Sequence, residues 1–155
     1  MHYSILALHS LLRWFVLAAL LYALFRAYKG WFGKTPYTPA DDKARLFSVI
    51  GVHTQLIIGI LLFSVSPLIT TFFSEFKENV SIKALRFFAM EHNIMMLLAI
   101  ILITIGSAKV KRQTSDEAKF KTLAVWFTIG LVIILVSIPW PFRAEIGRPY
   151  FLPFF

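Results

Sequence analysis

The chain contains no cysteine, which excludes disulfide staples, thiolate metal sites and cysteine nucleophiles. Charge is also scarce, at 15% of residues with only 8 acidic ones, against about 25% charged in soluble globular proteins. No Ser, His and Asp constellation has recognisable spacing, and there is no phosphate-binding glycine loop and no HExxH motif, so the common hydrolase, nucleotide-binding and zinc-protease classes are excluded. What fills the 155 residues is apolar: 58% hydrophobic, 16 Phe and a mean hydropathy of +0.72. That excess needs a covering other than water, and a bilayer supplies it. The formal charge of +8 is not a nucleic-acid footprint, because the basic residues fall between apolar runs, where they act as topology signals.

Four runs are long enough to cross the hydrocarbon core: Ile5 to Phe25, Leu46 to Ser66, Phe87 to Gly106 and Leu123 to Phe142. They predict an all-α, integral membrane four-helix up-down bundle, one transmembrane domain over 1–155, with helices at about 5–27, 42–66, 82–108 and 115–139. The first run has no basic n-region and no small-residue cleavage site before Arg26 and Lys29, so it is expected to remain as a span rather than act as a removed signal peptide. The first connection carries Arg26, Lys29, Lys34, Lys43 and Arg45, and the third carries Lys109, Lys111, Arg112, Lys119 and Lys121. The second connection has only Lys77, Lys83 and Arg86, and the tail only Arg143 and Arg148. The positive-inside rule then puts the first and third connections in the cytoplasm and both termini on the outer, periplasmic side.

Punctuation agrees. Pro36 and Pro39 break the first connection before Asp41 and Asp42, which suit a helix N-terminus, and Thr114 to Glu117 has capping-box spacing. Pro67 ends the second span, and Pro139, Trp140 and Pro141 end the fourth. The tail from Arg143 to Phe155 reads either as a segment along the outer interface or as a disordered end.

Ionisable groups inside a span are costly and usually face the bundle interior, so each one is a functional hypothesis. The first helix contributes His9, Ser10 and Arg13, the second His53, Thr54 and Gln55, and the third Glu91, His92 and Asn93. Three of the 4 histidines thus lie within spans, one on each of three helices, which is what a cofactor shared in a bundle requires; His2 lies outside the first run. At 1.5 Å rise per residue, His9 lies roughly 9 Å below Tyr3 and His92 roughly 9 Å beyond Arg86, so the two are about level. His53 is roughly 10 Å in from the opposite boundary and several ångströms deeper. Neutral imidazole ligates metals and binds haem iron axially when two helices present it at matched depth. Depth therefore favours His9 and His92 as the metal-binding pair, with His53 as competitor or supporting group. Arg13 and Glu91 read either as a buried ion pair or as an anchor for a haem propionate or quinone oxygen and a proton acceptor. Gly51 and Gly59 form a small-residue strip for helix packing or for a flat porphyrin. Met90, Met95 and Met96 read as apolar filling ahead of axial ligation.

The segments Leu8-His9-Ser10-Leu11-Leu12-Arg13-Trp14, His53-Thr54-Gln55 with Gly59, Glu91-His92-Asn93-Ile94-Met95-Met96 and Ile138-Pro139-Trp140-Pro141-Phe142-Arg143 together resemble a family of small bacterial four-helix membrane proteins labelled cytochrome b, in particular its Bacteroidota members. The resemblance spans nearly the whole chain. It implies a b-type haem held among His9, His53 and His92 and a role in membrane electron transfer. The expected protein is an inner-membrane carrier of electrons between a quinol and a partner membrane or periplasmic redox protein, with a quinone as a candidate second cofactor and a second copy of the chain as a further candidate partner. Leu8-His9 followed by Trp14 is also similar to the small membrane protoporphyrinogen oxidases of haem synthesis and to copper-resistance D-type proteins, although Leu21-Tyr22-Ala23-Leu24 stands where the former have Leu-Pro-Arg-Leu. In the copper reading all three histidines converge on one ion. A non-enzymatic accessory subunit, whose histidines only join helices, is the remaining alternative.

Overall fold

The computed structural model describes residues 1–152. It contains α1 (His2–Gly33), α2 (Pro39–Val65), α3 (Pro67–Ser74), α4 (Phe76–Asn79), α5 (Lys83–Arg86), a π-helical turn (Phe87–Glu91), α6 (His92–Lys111) and α7 (Asp116–Ser137). Through the π turn, Lys83–Lys111 forms one continuous span, so four helices are long and apolar enough to cross a membrane. These form an all-α membrane bundle in which α1 packs on α2 and α7, and α6 on α7, with a thinner seam between α2 and α6.

The exterior is as apolar as the interior. Phe15, Leu21, Phe25, Ile57, Ile94 and Val132 are exposed, whereas Leu20, Ala23, Ala27, Ile103, Phe120 and Phe127 are buried. Between helices already in lipid, apolar burial drives little association, and small residues that let backbones approach matter more. Gly30 is accordingly capped by the Phe120 ring, Gly106 by Trp126 and Gly130 by Ile103.

Several boundaries differ from the expected ones. At 32 residues, α1 is about 48 Å long and reaches past Arg26 and Lys29 to Gly33, where Lys34 takes a left-handed conformation (φ 49°) and its N–H bonds the Gly30 carbonyl. Cations in the headgroup layer do not end a helix, because their long side chains reach water while the backbone stays helical. The second connection is folded: Pro67 both stops α2 and starts α3, where its missing N–H costs nothing. α7, the fourth span, is capped by Ser115, whose hydroxyl accepts from the Ala118 N–H, one residue later than the Thr114 capping box expected.

The basic end of the bundle is tied by ion pairs. Thr38 and Asp41 make the capping box of α2, and the Asp41 carboxylate also takes the Arg26 guanidinium at 2.8 Å. Asp42 holds Arg45 at 2.8 Å, and Arg45, 2% exposed, donates on to the Ser107 hydroxyl of α6. α1, α2 and α6 are thereby joined by charges whose burial is offset by full pairing. Tyr37, in the connection itself, lies 5.0 Å from the Phe120 ring. Burial, then the nearby Asp42 carboxylate, pushes its phenol up to about 12, so it remains a neutral donor to Asp42.

Candidate functional site

Of the three histidines within spans, two meet. The His9 ring of α1 and the His92 ring at the start of α6 stand 6.5 Å apart, centroid to centroid, with planes at 73°. The His92 Nδ1–H donates to the carbonyl of Ser137, the last residue of α7, at 2.9 Å. A carbonyl only accepts, so this bond fixes the tautomer and leaves Nε2 as a bare lone pair, the arrangement metal-ligating histidines usually show. His9 differs: its Nδ1 is buried and has no hydrogen-bond partner among the described residues.

Two further buried polar atoms near His9, Gln55 Oε1 and Arg13 Nε, also have no partner among the described residues. The Gln55 amide donates to the His9 carbonyl at 2.9 Å, and Arg13, one turn along α1, donates to the Tyr150 carbonyl at 2.8 Å. Its guanidinium lies 5.1 Å from the Trp14 ring centroid and 5.9 Å from that of Trp140. Buried polar groups are normally satisfied, so three unsatisfied atoms on His9, Arg13 and Gln55 mark a place where bonding capacity is in excess.

The tail supplies one wall of this site. The Tyr150 carbonyl also accepts from the Trp14 indole at 3.2 Å, and Trp14 packs against Trp140, Tyr150 and Phe151. The backbone N–H of Arg148 bonds the Pro139 carbonyl at 2.9 Å. The tail reads in the sequence as a segment along the outer interface or a disordered end; through Leu152 it is ordered and packs on the bundle, and residues 153–155 lie outside the described residues.

His53 is elsewhere. Its Nδ1–H donates to Val49 of its own helix at 2.8 Å, and its Nε2 faces the Thr104 hydroxyl at 3.4 Å. Thr104 is twelve residues, about 18 Å, along the span from His92. Among the described residues no group of three or more His, Cys, Asp or Glu could hold a metal ion, so the convergence of three histidines on one copper is not formed. Gly59 receives the His9 ring, with a Cβ there only 3.3 Å from His9 Cε1, whereas Gly51 meets Phe15 and Val16 of α1. The glycine strip thus serves ring placement at one position and helix packing at the other.

Of the two readings of Arg13 and Glu91, the buried ion pair is not formed. Glu91 pairs with Arg86 at 2.6 Å, and its side chain is 47% exposed. The cause is the π turn over Phe87–Glu91. A π turn bonds residue i to i+5, which brings Arg86 and Glu91 onto one side; in an α-helix, residues five apart are not neighbours. The extra residue frees carbonyls, and the Asn93 amide answers them, donating to Phe88 at 2.8 Å and Ala89 at 3.1 Å. Asn93 is therefore a positioning residue for His92. Asn93→Leu keeps the volume but strands those carbonyls, and is expected to lower stability by about 1–2 kcal/mol. An unchanged midpoint in detergent unfolding would show that the turn closes without the amide.

Comparison with family profiles, curated proteins and solved structures gives no match.

Proposed function

We propose that the chain is a membrane b-type haem protein in which His9 and His92 would hold one haem, and that it carries electrons from a quinol to a partner redox protein. The observation that carries the reading is the His9 and His92 pair, 6.5 Å apart across the bundle. Two imidazoles sharing one ion through single nitrogens, at about 2.0–2.1 Å per bond, hold their ring centroids roughly 6 Å apart. The number of donors matters as much as the distance. Protein-only zinc sites draw three or four side-chain ligands, whereas a haem iron brings four nitrogens of its own and asks the protein for two.

When bound, haem supplies one-electron redox chemistry at the iron. The chain's residues do the rest. The Ser137 carbonyl orients His92 and raises the basicity of its free nitrogen. Arg13, whose Nε has no partner, offers a cation to a propionate or a quinone oxygen within a turn of His9. Trp14, Trp140 and the Tyr150 carbonyl hold the Arg13 guanidinium in place beside the site. A quinol would give up two electrons, which would pass singly to the partner, and two protons, which would go to bulk water.

The test is a visible spectrum of the purified protein before and after dithionite, then with duroquinol as reductant. Soret and α bands that shift on reduction are expected. Their absence sinks the haem reading and leaves the accessory-subunit one, while a dithionite-reducible haem that duroquinol cannot reduce removes the quinol from the proposal.

A further inference from the structure

We propose that a groove between α1 and α2, at the basic end of the bundle and remote from His9 and His92, binds one anionic phospholipid. The groove has a volume of about 230 Å³ and is lined by Ala19, Tyr22, Ala40, Lys43, Ala44 and Phe47. Its chemistry is graded along the membrane normal. Lys43 precedes Leu46, where the apolar run begins, and so lies at headgroup depth; Ala19 and Phe47 lie further in. Ala19 and Ala44 make a low floor between the exposed walls of Tyr22 and Phe47, a trough fitted to an acyl chain.

Charge selects the headgroup. The two carboxylates next to Lys43 are both engaged, Asp41 by Arg26 at 2.8 Å and Asp42 by Arg45 at 2.8 Å. Lys43 itself makes no ion pair among the described residues, and its ammonium is left for a lipid phosphate. Arg26 stands at the rim, its guanidinium 3.3 Å from the Tyr22 hydroxyl, but its charge is taken by Asp41, so Lys43 is the cation that faces the headgroup. A soluble anion would use Lys43 but gain nothing from the apolar trough, whereas a lipid uses both. Basic pockets of this kind between helices at the cytoplasmic surface are suited to anionic headgroups.

The full chain, purified in detergent and mixed with equal phosphatidylglycerol and phosphatidylcholine, can be read by native mass spectrometry. One phosphatidylglycerol per chain is expected, retained about fivefold over phosphatidylcholine, the ratio that one surface cation contributes. Lys43→Gln should lose that preference. Ala40→Leu, an exposed position, should lower retention of the lipid by filling the trough, while Lys111→Gln, at the same end but outside the groove, should leave it unchanged. Equal retention of both lipids, an Ala40→Leu variant that binds as well as the parent, or a Lys111→Gln effect equal to that of Lys43→Gln would each overturn the proposal. Matched unfolding midpoints establish that the variants are folded.

Discussion

His92→Ala and His9→Ala should each abolish a low-spin haem spectrum, and His53→Ala should leave it intact. The expected loss of haem is large. Removing merely an outer hydrogen-bond partner of a metal ligand lowers affinity roughly 10–100-fold, and a ligand itself is worth at least that. His53 is committed to Val49 and Thr104, so its replacement removes a helix-to-helix contact worth about 0.6 kcal/mol in a membrane and touches neither proposed axial position. Free imidazole added to the His92→Ala protein should restore part of the low-spin signal, which a misfolded protein would not do. Loss of the spectrum in His53→Ala with retention in His92→Ala would reverse the ligand assignment.

The four spans were legible because hydropathy over about 20 residues depends on composition, not on detail. Levels along the membrane normal were legible for the same reason: 1.5 Å per residue put His9 and His92 at one height, and their rings lie side by side. Direction around a helix was not. Depth alone allows Arg13 and Glu91 to pair, yet Glu91 points outward to Arg86, because a π turn changes the angular position of everything before it and no residue pattern announces it. The polar run Glu91-His92-Asn93 is the only trace of it in the sequence, and Asn93 is readable as the amide that answers freed carbonyls only once the turn is known. Backbone partners were equally hidden. The Ser137 carbonyl that orients His92 and the Tyr150 carbonyl that holds Arg13 are groups every residue carries. The buried Arg45, joined to Asp42 and Ser107, read as a loop cation because composition does not separate a solvated arginine from a paired one.

Gly106→Ala is expected to cost about 3 kcal/mol, although the same change in an unpacked helix gains up to about 1 kcal/mol. The sign turns on what the added carbon meets. At Gly106 it falls 2.3 Å from Trp126 Cβ and 2.8 Å from Cγ, and the nearer of these, Cβ, is fixed to the α7 backbone where no rotamer change can move it. The helices themselves must separate, and the Ala99, Ile103 and Gly130 contacts along the same seam loosen with them. Because His92 and Ser137 bridge that pair of helices, the variant should also lose haem more readily than its stability alone predicts. Gly51→Ala is the matched control. There the nearest atoms are Phe15 Cε1 and Val16 Cγ2, both at 3.5 Å, an ordinary contact, so helix propensity decides and the change should be neutral or mildly stabilising. Unfolding both variants in a graded series of denaturing detergent separates the outcomes: similar midpoints would mean that α6 and α7 do not pack in this register.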